Sequence, residues 1–253
     1  MNIEQISVSP CSNPEMNLDE ALGVYSGLGY RSFEIFTSWT KSAFDYKKDP
    51  QIYLDAGSRY GMEFASLHLP EISIEGRDSS IQEAMAAARF AEAVGAGVVL
   101  YKAENRSTYV SEAAAFLDAI DELDVIPVIQ NHFGTPLSSL EDIKEVYEGI
   151  GDKRMRTLLE VGHFHSAGIG WREAAEYLQD SIALVHIKDQ IGPQSVPFGK
   201  GEIDLTRLFG FLDAAGYKGQ YVVEMEVEDR ENTVTYLADA YEYMTEYCKG
   251  LKI

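Results

Sequence analysis

Residues 157–189 read TLLEVGHFHSAGIGWREAAEYLQDSIALVHIKD. Two short apolar runs stop at metal-competent side chains, Glu160 and His163 first, His186 and Asp189 second, with an acidic helical span between them. That alternation is the pattern of a parallel sheet carrying its chemistry at the C-terminal strand ends. Working outward, the same unit recurs. Polar tips fall at Glu34, His68, Tyr101, Gln130, Glu160, His186 and Glu224, with 26 to 38 residues between neighbours. Each interval is one strand–helix repeat. The reading is α/β, a single (β/α)8 TIM barrel in which 1–253 form one domain. An open doubly wound sheet is the alternative, but the GxGxxG turn expected after its first strand is missing.

The local signals agree with eight units. Strands are expected over Ile3–Ser9, Arg31–Phe36, Glu63–Leu69, Gly97–Tyr101, Val125–Ile129, Arg156–Leu159, Ala183–Ile187 and Gln220–Met225. The run GVVLY at 97–101 suits a strand buried on both faces. Asn17-Leu-Asp-Glu20 and Ser138-Ser-Leu-Glu141 read as capping boxes, and Gly29 closes the first helix. Pro50 and Gly61 bracket another helix. A Ser79 or Ser80 cap opens an Ala-rich helix to Gly95, and a further helix runs from about Tyr109 to Leu123. Asp204 caps a helix ending at Gly216, and Asn232 or Thr233 opens the last one, to about Lys249.

Composition limits the partners. Twenty-one Lys and Arg against 41 Asp and Glu leave a net charge of −20. Phosphate-backbone recognition is built on Lys and Arg, so a nucleic-acid partner is not expected. No run approaches the roughly 20 apolar residues of a membrane span, and MNIEQISVS carries no secretory pattern. Cys11 and Cys248, the only cysteines, exclude a disulfide scaffold or a CxxC zinc site. A cytoplasmic protein is therefore expected, with a small molecule as partner and homo-oligomerisation left open.

A barrel brings distant tips together. Its mouth would hold Gln130, His132, Glu160, His163, His186, Asp189 and Glu224. Carboxylates, an imidazole and an amide oxygen suit one divalent cation, and the oxygen-rich set leans toward Mn²⁺, Mg²⁺ or Co²⁺. Four of the five histidines stand at strand ends, whereas His165 reads as structural. Glu224 and Glu226 lie on the same pleat face, and Glu224 is preferred because apolar strand residues lead into it. Lys102 and Lys188, which also follow strands, are candidates to hold a carboxylate or phosphate. His68, Glu34 and Asp189 join them as expected substrate contacts. Trp39, Phe44, Tyr46, Pro197 and Phe198 stand in the two loops that would line the mouth, where they pack either on a sugar face or on protein.

In order and spacing, SLHLP (66–70), QNH (130–132), EVGH (160–163), HIKD (186–189), GKGEID (199–204) and AGYKGQYVVE (215–224) resemble the xylose isomerase-like TIM-barrel superfamily of sugar isomerases, epimerases and related lyases. The resemblance covers nearly the whole chain. It implies metal ligands at Gln130, Glu160, His186 and Glu224 and a substrate contact at His163. Two positions depart from the superfamily pattern: Glu160 replaces an Asp, and Gln130 replaces a Glu. Gln130 has no basicity, so two-base epimerisation is disfavoured. One-base enediolate chemistry remains, with Glu224 as base and His163, His132 or a lysine moving the second proton. The expected activity is metal-dependent isomerisation of a small sugar or hydroxy-keto acid. The alternatives are a lyase acting on an oxidised sugar acid, decarboxylase or dehydratase, and a non-catalytic sugar-binding barrel with a decayed metal site. A metal-dependent apurinic-site endonuclease would need a carboxylate at Gln130 and histidines in loop 190–203, and neither is present.

Overall fold

A computed structural model describes residues 1–250. Eight parallel strands close into a barrel: β1 (Ile6–Val8), β2 (Ser32–Ile35), β3 (Glu63–His68), β4 (Val98–Leu100), β5 (Ile126–Gln130), β6 (Arg156–Glu160), β7 (Ile182–Ile187) and β8 (Tyr221–Val223). Each strand pairs with its sequence neighbours, and β8 closes on β1 through Ile6 opposite Tyr221. The expected barrel is therefore the observed one. No described helix is long and apolar enough to cross a membrane.

Helices α1 (Leu18–Leu28), α2 (Pro50–Tyr60), α3 (Arg77–Ala93), α4 (Arg106–Ala119) and α5 (Leu140–Ile150) connect the first six strands. Asn17 caps α1 in a capping box with Glu20, and Gly29 ends it at φ 108°, where a side chain is strained. Pro50 and Gly61 bracket α2 as the sequence suggests. Other ends differ by a few residues. The α3 helix starts at Arg77, ahead of both serines, and its cap Gly76 makes no side-chain bond. The capping box of α5 is Ser139 with Asp142, because Ser138 is turned into the preceding loop, where its hydroxyl accepts from the amide of Gly134. Asn105 caps α4, three residues before Thr108, whose amide it takes. Residues 3–5 form a short 3-10 turn rather than the start of β1, since the Asn2 and Gln5 side chains cap each other's backbone.

After β6 come α6 (Val161–Ser166) and α7 (Trp171–Leu178); α8 (Leu205–Ala214) precedes β8, and α9 (Thr233–Cys248) ends the described chain. The 190–203 loop holds an unforeseen antiparallel hairpin, Asp189–Ile191 against Gln194–Val196.

Most of the buried apolar side chains pack between strands and helices, as in any barrel with an outer helical ring. Inside the barrel a separate cluster, Val98, Leu100, Val128, Leu158, Leu184 and Val222, comes from β4 to β8 alone. The first three strands contribute Ser7, Ser32, Ser66 and Glu34, all buried. Register places Ser7 beside both Val222 and Ser32, and Glu34 beside Ser66, in the same ladder as the apolar set.

Candidate active site

Strand pairing sets Glu160 directly opposite His186, and His186 directly opposite Val222, two residues before Glu224. Three tips thus converge on one imidazole edge. His186 Nδ1 lies 3.0 Å from Glu160 Oε2 and 3.2 Å from Glu224 Oε1. The Gln130 amide group is 3.5 Å from the same nitrogen. All three ionisable groups are buried. Which end of the amide faces inward is a matter of hydrogen-bond assignment, so Gln130 can offer its oxygen.

These spacings fit a divalent cation. Bonds of about 2.1 Å at right angles put neighbouring donor atoms about 3 Å apart, close to the separations seen here. The other face of His186 supplies a second test. Its Nε2 is 3.0 Å from Glu34 Oε1, which also accepts from Ser66 Oγ at 2.9 Å. A carboxylate behind a ligating imidazole fixes its ring and tautomer and raises its basicity. Burial alone would raise the Glu34 carboxyl, but the imidazoles of His186 and His68 hold it well below the usual range. His186 is shifted the other way: burial disfavours its charge, yet Glu34 and Glu224 raise it.

Glu34, expected as a substrate contact, lies behind His186 and does not line the mouth cavity. Asp189, also expected as a substrate contact, is bonded to backbone. Its carboxylate accepts the backbone N–H groups of Gln190, Gly201 and Ile203 and so pins loop 199–203 to the end of β7. A Cβ on Gly201 would stand 2.0 Å from that carboxylate. The two motifs HIKD and GKGEID are thus halves of one structural clamp. Asn131 was missed as a functional residue. It exchanges two 3.0 Å bonds with the backbone N–H and C=O of Glu160, locking the tips of β5 and β6 together. Its buried amide within QNH was the available signal.

Lys188 is 1% exposed, and its Nζ lies 2.7 Å from Glu224 Oε2 and 2.6 Å from Glu226 Oε2. Burial pulls its pKa down, but Glu224, Glu160 and Glu226 more than restore it, so the ammonium stays charged. The lysine stem is seated against Gly162, where a Cβ would come within 2.6 Å of Lys188 Cγ. Glu224 and Glu226 thus take different places: Glu224 reaches both His186 and Lys188, and Glu226 reaches only Lys188 from the half-exposed rim.

A cavity of about 180 Å³ opens above these groups, lined by Gln130, Glu224 and Lys188 on one side of the mouth and by Phe36, His68 and Lys102 on the other. Cys11, Trp39, His132, His163 and Glu226 complete it. His132 and His163 stack on each other with ring centres 3.8 Å apart. Burial, with Lys188 nearby, lowers His163 to about 2, and burial lowers His132 as well, so both rings are neutral. His68 stacks on Phe36 at 3.9 Å, and burial lowers it to about 4. Its Nε2 is 3.2 Å from Glu34 but lacks hydrogen-bond geometry. His165 lies outside the cavity and meets Glu202 at 3.0 Å. Of the loop aromatics only Trp39 reaches the mouth. Phe44 stacks on Tyr53, Tyr46 bonds Glu83, and Phe198 packs on Tyr243. A larger cavity, about 710 Å³, lies at the other end of the barrel beside Ile126, Arg156 and Ile182, the first residues of β5, β6 and β7. It holds none of the converging donors.

Residues 24–247 match the family described as xylose isomerase-like TIM barrel, and the chain belongs to that family. It is 30% identical over 142 residues to an inosose dehydratase of Geobacillus thermodenitrificans; the aligned stretch is 48% of this chain and 47% of that protein. Over 65 residues it is 38% identical to the L-ribulose-5-phosphate 3-epimerase UlaE of Salmonella paratyphi B, covering 25% of this chain and 23% of that one. The matched stretches thus span about half and about a quarter of these relatives. The solved structure of an IolI protein with a bound zinc atom superposes with a TM-score of 0.80 at 15% identity, over 98% of this chain and 99% of that one.

Proposed function

We propose that the protein is a divalent-metal-dependent isomerase of a small hydroxy-keto compound, working through an enediolate. The observation that carries this is that Glu160 and Glu224 both lie within 3.2 Å of His186 Nδ1, backed by Glu34 on the far nitrogen. Gln130, Glu160, His186 and Glu224 would hold the ion. When bound, it polarises a carbonyl or hydroxyl oxygen and acidifies the neighbouring C–H.

The chain's own residues do the rest. Glu224 lies at the cavity floor and takes the proton from carbon. Lys188 holds the distal oxygen of Glu224 at 2.7 Å and orients the carboxylate toward the cavity. Gln130 accepts no proton, so abstraction and return use one face of the substrate. His163 and His132, both lowered by burial, can donate an N–H bond to a developing oxyanion as neutral rings. A neutral imidazole in that role matches the pattern of enediolate-forming isomerases. Phe36 covers that side with a buried ring.

A lyase is the second reading, favoured by the relative named as a dehydratase. Elimination would begin with the same proton abstraction and needs an acid for the leaving hydroxyl, for which Lys188 is the charged candidate. The experiment combines elemental analysis of protein purified without chelator with NMR screening of keto-sugars and hydroxy-keto acids in D2O. Stoichiometric metal and deuterium exchange at the carbon next to the carbonyl are expected. A product that keeps every oxygen marks the isomerase, and one lacking a hydroxyl marks the lyase. Protein without stoichiometric metal, whose turnover ignores chelator, would refute both.

A further inference from the structure

The two lysines of the mouth are in opposite states. Lys188 is bonded to two carboxylates. Lys102 follows β4, four strands around the barrel from β8, and lines the same cavity. Its ammonium makes no hydrogen bond or ion pair with any side chain among the described residues. Burial lowers its pKa, only partly offset by the more distant carboxylates of Glu34, Glu71 and Glu224. Lys102 is partly buried, and a partly desolvated cation without a partner gains from a bound anion.

The surroundings explain why the protein supplies no anion of its own. On the adjacent strand the cavity-facing residue is Gln130, an uncharged amide. On the other neighbouring strand it is His68, a neutral imidazole stacked on Phe36. Across the mouth, Glu224 and Glu226 are engaged by Lys188. Size adds a second constraint. The cavity of about 180 Å³ is small beside the ~300–1,000 Å³ of pockets for drug-sized ligands. It suits a three- or four-carbon compound better than a hexose phosphate.

We infer that the substrate is a short hydroxy-keto acid whose carboxylate sits on Lys102, with its reacting carbons turned toward Glu224 and Lys188. This deepens the proposed function and rests on the mouth cavity being the active site. One free ammonium among neutral imidazoles suits a singly charged carboxylate. A phosphate calls for more charge and more donors than Lys102 alone provides.

The test uses unreactive probes on the full-length protein. Binding of glycerate, glycerol and inorganic phosphate is measured by ligand-observed NMR titration in wild type, Lys102→Met and Lys102→Arg, with bound metal assayed in each sample. Wild type should prefer glycerate to glycerol by about tenfold or more, the range for a charge-assisted bond. Lys102→Met should lose that margin, Lys102→Arg should keep part of it, and thermal melting should show all three folded. Glycerate binding equally to wild type and Lys102→Met, a preference for phosphate, or no glycerate binding at all would overturn the inference. Absence of metal from wild type would instead strike the proposed reaction, while the Lys102 dependence of probe binding would still be read.

Discussion

The mouth of this barrel has two unlike halves. On β5 to β8, Glu160, His186, Lys188 and Glu224 form a closed network in which each charged group meets an opposite one within 3.2 Å. On β2 to β4, His68 and Lys102 face the cavity without hydrogen bonds to protein side chains, flanked by Phe36 and Trp39. The division continues below the mouth, where the inner apolar cluster comes from β4 to β8 and buried serines from β1 to β3. Closed networks fix geometry, which suits metal holding and proton transfer. Unpaired groups leave bonding capacity for a ligand. We therefore assign the reaction to one half and the choice of substrate to the other, and variants in each half should separate the two.

The largest effect belongs to the reacting half. Glu224→Gln keeps the shape but removes the base, and kcat should fall by about 10²–10⁴-fold, the usual share of a positioned general base. Steady-state rates on the substrate found by screening check this; a variant within threefold of wild type would remove Glu224 from the reaction. Next comes Glu34→Gln, which would act on a bound ion only through His186. Metal affinity should fall by about 10–100-fold in a competition titration with a chelating dye. An unchanged affinity would mean that His186 needs no carboxylate behind it.

Gly162→Ala tests how finely the network is set. Its new Cβ would meet the Lys188 stem at 2.6 Å, so the ammonium must leave Glu224 or the helix must shift. Overpacking of this kind costs about 1–3 kcal/mol in urea unfolding. Gly149→Ala meets Val110 at 2.9 Å, neither residue lining the mouth cavity, and serves as the matched control. Both variants should lose stability, and only Gly162→Ala should lose turnover.

How much of this was legible in the sequence follows the same division. The barrel and the tips Gln130, Glu160, His186 and Glu224 could be read because strand periodicity and single-residue chemistry mark them directly. The positions of Glu34 and Asp189 could not be read, because a carboxylate at a strand end looks the same whether it faces the mouth, supports an imidazole from below or clamps a loop. Their roles depend on partners 152 and 12 residues away, His186 and Gly201. The choice of Glu224 over Glu226 could not come from spacing, since both share a face; the difference lies in which of them reaches His186. Helix starts moved where the capping side chain was not the expected one, as at Ser139, one residue past Ser138, and at Asn105, ahead of the expected start at Tyr109. Lys102 was visible as a candidate, but its lack of a partner was not, because that depends on every neighbour in space.

The smallest effect is expected at Trp39, on the selecting half. Its ring is 60% exposed and meets Phe36 edge-on at 5.3 Å, and its backbone sits at φ 55°, a region that non-glycine residues avoid. A left-handed conformation costs a residue with a Cβ about 1–2 kcal/mol relative to glycine. Trp39→Gly therefore removes the ring and the strain together, whereas Trp39→Ala removes only the ring. If the ring covers the substrate, KM should rise in both variants by the same factor, about two- to tenfold, with kcat little changed. Urea unfolding should place the glycine variant above the alanine variant by about 1 kcal/mol, partly reduced by the extra freedom of glycine in the unfolded chain. Equal KM values in wild type and both variants would leave the strained tryptophan without a role at the mouth, and the selecting half would then reduce to Lys102, His68 and Phe36.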